Sequence, residues 1–202
     1  MPAQPTPTQA PSQAVLHRRH ALALLCATGW SGRAGALSPP SGTEFEPRAS
    51  EPEPERKAAF LFNFLAFVDW PVSAYAHGLS PHVVGVLGAD AVHAALLERS
   101  AGRRQRGRPV EARRLAPGEA LQGVHLLHRG RAAAPGPDPA PVVGQPLLLV
   151  TDEPRGLPAG SALNFITVRG RLRFEAAPAT AARQGLRLSA QLLTVAERVV
   201  AR

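Results

Sequence analysis

The longest apolar block of the chain is Lys57 to Asp69, KAAFLFNFLAFVD, which meets no helix breaker before Pro71. Phe60, Phe64 and Phe67 recur at helical spacing on one face, and Leu61, Leu65 and Val68 on an adjacent one, so the predicted helix is apolar over most of its girth. A helix of that kind is normally sandwiched inside a core; the alternative is that the aromatic stripe, with Trp70, is a docking face for a partner. His82 to Leu87 is an almost unbroken apolar run ending in Gly88, after which Ala89-Asp90 can cap a helix through about Arg99. Val110 to Arg114, Val124 to Leu127 and Leu147 to Thr151 read as further short strands, the last closed by Asp152. Pro117 to Leu121 allows a short helix, and Arg131 to Gly144, thick with Ala, Pro and Gly, reads as a surface loop.

Ala162 to Val168 and Arg171 to Glu175, joined by Arg169-Gly170, have the form of a β-hairpin with a two-residue turn. Ala179 to Gln184 and Ser189 to Val200 then read as helices, the second with Leu192, Val195, Ala196 and Val199 as its core-facing stripe. Apolar strands alternating with helices predict an α/β fold. The expectation is a single domain whose mostly parallel sheet is flanked by helices and covered on both faces, with a C-terminal β-hairpin and helix. At 202 residues one core is expected.

The first part of the chain follows different rules. His17-Arg18-Arg19-His20, the short apolar run Ala21 to Trp30 and the small-x-small triplet Ala34-Gly35-Ala36 have the layout of a bacterial signal peptide, with cleavage near Ala36 and delivery to the periplasm. The arginine pair fits an ordinary basic n-region better than twin-arginine export. Leu37 to Glu55, rich in Pro, Ser and Glu, reads as a disordered leader, which places the folded domain at 56–202. No run approaches the roughly 20 apolar residues of a spanning helix, so the mature protein is not expected to span a membrane.

Charge and cysteine narrow the classes further. Removing residues 1–36 takes away Arg18, Arg19 and Arg33 and no acid, so the net charge of +8 becomes +5. Arg103-Arg104-Gln105-Arg106 lacks the aromatic or motif support of a nucleic-acid stripe and reads as a solvated loop, so nucleic acid is not an expected partner. Cys26 is the only cysteine and lies in the segment expected to be removed. Disulfides and thiol chemistry are then excluded.

Catalytic patterns are missing. Gly85-Val86-Leu87-Gly88 before a helix start resembles the opening of a nucleotide-binding unit but lacks the third glycine and a Walker lysine. His125 and His128, three apart on a strand, should face opposite ways, and the histidines assemble into no ligand set. Asp69, Asp90, Asp152 and Glu175 sit at element ends, where helix capping is the first expectation and pairing with arginine the second. Ser161 stands in GSAL, not in a nucleophile elbow. No enzyme activity, cofactor or metal is expected. A pocket for a small solute is expected, if anywhere, at the C-terminal ends of the strands near Gly88, Ala89, Asp90 and Asp152.

Taken in order, KAAFLFNFLAFVDWP (57–71), VVGVLGAD (83–90), GRPVEARRL (107–115), LLLVTD (147–152), NFITVRGRLRFE (164–175) and QGLRLSAQLL (184–193) resemble the YfiR-like family of periplasmic proteins. The resemblance implies an α/β fold without known enzymatic activity and a partner in the inner membrane, a diguanylate cyclase held down through its periplasmic sensor region. Cyclic di-GMP synthesis, and with it biofilm formation, would then stay low. On that reading the partner-binding residues are Phe60, Phe64, Phe67 and Trp70, and a homodimer stays open. The founding repressor's disulfides have no counterpart in a mature chain without cysteine, and the Gly-Gly-Met-Ile-like segment that the family tends to show is replaced here by Gly160-Ser161-Ala162-Leu163.

Overall fold

The computed structural model describes residues 47–133 and 146–201. The chain divides into two compact units, Met1–Pro40 and Ser41–Arg202, and all described residues belong to the second. The expected signal sequence, the leader up to residue 46 and residues 134–145 of the expected surface loop lie outside the described residues.

Helix α1 spans Glu53–Phe67, starting four residues before Lys57. Pro54 in its first turn has no intrahelical N–H to lose, and Glu53 and Glu55 sit where the helix dipole favours negative charge. The composition that reads as a leader is here a helix start. The helix ends two residues short of Asp69, because strand β1 (Val68–Asp69) pairs antiparallel with β9 (Arg187–Leu188). A 3₁₀ turn at Val72–Ala74 follows, then β2 (His82–Leu87), α2 (Asp90–Ser100), β3 (Arg104–Gln105), β4 (Arg108–Leu115), β5 (Leu126–Arg129) and β6 (Leu148–Thr151). The C-terminal part holds β7 (Leu163–Val168), β8 (Arg171–Ala176), α3 (Pro178–Arg183), α4 (Ala190–Val195) and β10 (Arg198–Val199).

Eight strands form one sheet in the order β10-β8-β7-β6-β5-β2-β4-β3. Its centre, β4-β2-β5-β6-β7, is parallel throughout. The β7–β8 hairpin turns on Arg169 (φ 49°) and Gly170 (φ 74°), both left-handed as a tight two-residue connection requires.

Strand alternation sorts the core into two faces. Val84, Val86, Leu126, Leu148, Val150, Leu163 and Phe165 share one cluster with Phe60, Leu61, Phe64 and Leu65 of α1, Val92 and Leu96 of α2 and Leu192 of α4. Within it the rings of Phe60, Phe64, Phe165 and Phe174 lie with centroids 5.2–6.0 Å apart. Truncating Phe64 to Ala would cost about 3–5 kcal/mol. The opposite face carries Leu115, Val124, Leu127, Leu147 and Leu149, with Leu121 packed on them. That cover comes from the connection between β4 and β5. The short helix expected from Pro117 is a pair of turns instead, with Gly118 at φ 79° and Gly123 at φ 76°.

Two other expectations are corrected. The Arg103–Arg106 run is not a plain loop, since Arg104 and Gln105 pair with Pro109 and Arg108 as a hairpin. The last helix is short: Ser189 caps it by accepting from Leu192 N at 3.1 Å, and Ala196 is already extended. β-Branched Val199 and Val200 then continue as an edge strand on β8.

Candidate functional site

A recess of about 800 Å³ opens where β2 and β4 end and α2 begins. Leu87, Gly88, Ala89, Asp90, Arg114 and Leu115 are among the residues lining it. Gly88 adopts φ 66°, and a Cβ there would lie 2.2 Å from the backbone N of Ala133. A Cβ on Gly130 would come 2.5 Å from Gly88 O. Both glycines therefore let two connections close on each other at the rim. Asp90 does not cap α2; its carboxylate meets Arg114 at 2.7 Å, with both side chains about two-thirds exposed. Of the four expected pocket residues, Gly88, Ala89 and Asp90 meet at this recess, whereas Asp152 is absent from its lining.

Asp152 is instead buried at the C-terminal end of β6 and faces charge from two directions. Lys57 Nζ lies 2.5 Å from its Oδ2 and equally close to Glu53 Oε1, one turn back on α1. Arg131 Nε lies 3.2 Å from its Oδ1. Beside this pair, His128 is fully buried with its ring 5.6 Å from Phe165, and neither ring nitrogen has a hydrogen-bond partner. Burial pulls its pKa down to about 4; the carboxylate of Asp152 opposes that shift and the ammonium of Lys57 adds to it.

A second buried polar centre lies across β6 to β8. Asn164 accepts from Thr151 Oγ1 at 2.9 Å and from Glu153 N at 2.8 Å, and its amide donates to Glu153 O at 3.0 Å and Glu175 Oε2 at 3.2 Å. Ser161 Oγ bonds Leu163 O at 2.6 Å and Leu149 O at 3.1 Å, so its hydroxyl is occupied by the fold. Glu175 is 1% exposed and is closed from outside by Arg198. Asp69, like these acids, pairs with an arginine, Arg106. Pairing with cations, the second expectation, describes all four element-end carboxylates, because an arginine or lysine from a distant segment reaches each one.

At the other end of the strands, histidines do come together. His82 and His125 lie with ring centroids 6.0 Å apart, and Tyr75 stacks on His125 at 4.5 Å while its hydroxyl meets His82 Nδ1 at 3.0 Å. His125 accepts from Val83 N at Nδ1 and faces Ala74 O at Nε2, the arrangement of a neutral ring. Burial lowers both imidazoles, His82 to about 4 with His125 and Arg108 adding to the shift, and raises Tyr75 to about 12. No group of three or more metal-ligating side chains occurs among the described residues.

The expected docking face is divided by burial. Phe60 and Phe64 are 2% and 0% exposed and belong to the core, which withdraws them from any partner. Phe67 and Trp70 are half-buried at its margin, Trp70 donating from Nε1 to His125 O at 3.2 Å.

A domain-family model described as YfiR/HmsC-like matches residues 54–197, from the first turn of α1 to the edge of β10. The chain belongs to the YfiR/HmsC-like family. This family is periplasmic and regulatory, with a theme of cyclic di-GMP signalling and a membrane signalling protein as partner. No curated protein matches the chain. None of the described helices is long and apolar enough to cross a membrane.

Within this YfiR/HmsC-like domain the motif segments carry the buried charges and the amide between them: Lys57 on α1, Asp152 after β6, Asn164 on β7 and Glu175 on β8. Lys57 carried a signal in the sequence, because it is the charge that directly heads the apolar run Ala58 to Phe62, where a buried ammonium needs a counter-ion. Its partner, 95 residues away, carried none.

Proposed function

We propose that this protein is a non-catalytic periplasmic regulator that binds the periplasmic sensor region of an inner-membrane diguanylate cyclase and represses cyclic di-GMP synthesis. The observation that carries this reading is the family match across residues 54–197. A non-catalytic role is supported by how the reactive groups are used: Ser161 is consumed by backbone carbonyls, His125 is engaged at both nitrogens, and Asp152 is neutralised by Lys57 and Arg131. Export by a signal peptide cleaved near Ala36 belongs to the same reading, with a mature domain that takes in the whole of α1, from Glu53. On it, Phe67 and Trp70 remain the accessible part of the partner-binding stripe.

The test is intracellular cyclic di-GMP in a strain lacking the gene, in one with it restored, and in one restored without residues 1–36. A rise on deletion that only the exported copy reverses is the expected result; no change in any strain overturns it. A second reading, a small-solute binding module, is favoured by the open recess at Gly88, Ala89 and Asp90. A metabolite that raises the melting temperature of the wild type, but not of a variant in which Ala91→Trp, at an exposed position of α2 in the lining, fills the recess, would support it.

A further inference from the structure

The end of the sheet where β2 and β4 begin, opposite the recess, has a surface that the core does not explain. The 70–81 connection is backed there by Tyr75, His82 and His125 and pinned by Arg108. That guanidinium lies 3.7 Å from the centre of the Tyr75 ring and donates to Ser80 O at 2.8 Å and His77 O at 3.3 Å. The connection holds Val72 at 88% and Leu79 at 75% exposure, well above the other exposed large apolar side chains, Leu97 and Val199 at 47%.

Arginines come from the elements that border this connection, Arg106 donating to Val68 O on one side of it and Arg108 to His77 O and Ser80 O on the other. Arg104 and Arg106 come from the β3–β4 hairpin, Arg108 from the start of β4, and Arg187 from β9, where it lies across from Asp69. Asp69 lies among them and is paired with Arg106. A protein partner would need a separate pocket for each aliphatic tip and an acidic rim around both. A phospholipid surface supplies the two together, phosphates for the guanidinium groups and acyl chains just beneath for the aliphatic tips.

We propose that this end of the molecule docks on an anionic phospholipid bilayer, with Val72 and Leu79 inserted below the phosphates and Arg104, Arg106, Arg108 and Arg187 lying on them. This rests on the periplasmic placement in the reading above, not on the identity of the partner. It would concentrate the protein at the surface where an inner-membrane protein presents its periplasmic region.

The experiment is co-sedimentation of the purified protein with phosphatidylglycerol-containing vesicles and with pure phosphatidylcholine vesicles, at low and high salt. The expected result is partitioning onto the anionic vesicles alone, released by high salt. Arg104→Gln with Arg187→Gln weakens it by about fivefold per arginine. Val72→Ser with Leu79→Ser weakens it by roughly tenfold or more. Arg155→Gln with Arg171→Gln makes the same change in net charge at the opposite end of the strands and leaves partitioning near wild type.

Three results overturn the proposal. One is absence of phosphatidylglycerol-dependent sedimentation, and another is equal loss in the control pair, which would mean that net charge alone is responsible. The third is retained vesicle binding in both test pairs together with lost binding to the cyclase's periplasmic region, which would assign the surface to an acidic protein. Failure here leaves the cyclic di-GMP experiment unaffected, and the converse also holds.

Discussion

The two buried polar centres lie on opposite faces of the sheet beside β6 and are built by opposite rules. Around Asn164 every donor and acceptor of the amide is used, and the Glu175 carboxylate is met by Asn164 on one oxygen and Arg198 on the other. Around Asp152 full charges meet under α1, and the neighbouring imidazole of His128 has no partner on either nitrogen. The first centre fixes geometry, because each replacement strands a bonded neighbour. The second holds α1 to the end of β6 through charge, and charge paired in a dry site is costly to break.

The largest effect should come from breaking the charged centre. Lys57→Met leaves Asp152 buried with only Arg131, and urea unfolding should show a loss at the lower end of the roughly 3–5 kcal/mol expected when one partner of a buried pair is removed. Lys57→Met combined with Asp152→Leu should recover much of that loss, since no uncompensated charge is left. Next in size, Asn164→Ala should cost about 2–3 kcal/mol by stranding Glu153 N, Glu153 O and Glu175. If it cost less than the exposed Asp90–Arg114 pair, the contrast between the centres would fail.

The comparison is sharpened by pH. The folded pKa of His128, about 4, lies below its ordinary 6.5, so the unfolded chain takes up the proton first. Stability is complete above about pH 6.5, falls as pH drops through the 6.5 to 4 window, and the loss is complete below it; for His128 alone it is on the order of 3 kcal/mol. His82 acts in the same direction over the same window. His128→Phe should be at least as stable at neutral pH and show a shallower acid limb in thermal melts. Smallest of all, Arg114→Ala should change stability by about 0–1 kcal/mol, because that pair with Asp90 is open to solvent.

Local pattern carried the α/β class, the order of β2, α2, β4, β5 and β6, and the hairpin at Arg169-Gly170. Those elements are set by alternation, apolar runs and turn residues within a few positions. What pattern could not show was pairing across distance. Val68–Asp69 ends α1 early because Arg187–Leu188 lies beside it, and Val199 becomes an edge strand because β8 offers one. The candidate site divides the same way. Gly88, Ala89 and Asp90 are contiguous and were readable as a strand-to-helix turn, whereas Asp152 looked like their neighbour only from its place at a strand end. His82 and His125, 43 positions apart, meet only because β2 and β5 are adjacent in the sheet.

Lys57 is the only lysine in the chain and is 6% exposed. Amine-directed cross-linkers would therefore find no accessible lysine on the folded domain, and a negative result with such reagents would say nothing about whether a partner is bound. The same fact makes the residue useful. Acylation of Lys57 in a mass-spectrometric time course can occur only when α1 lifts from β6, so its rate measures that opening at one defined atom, with no label introduced.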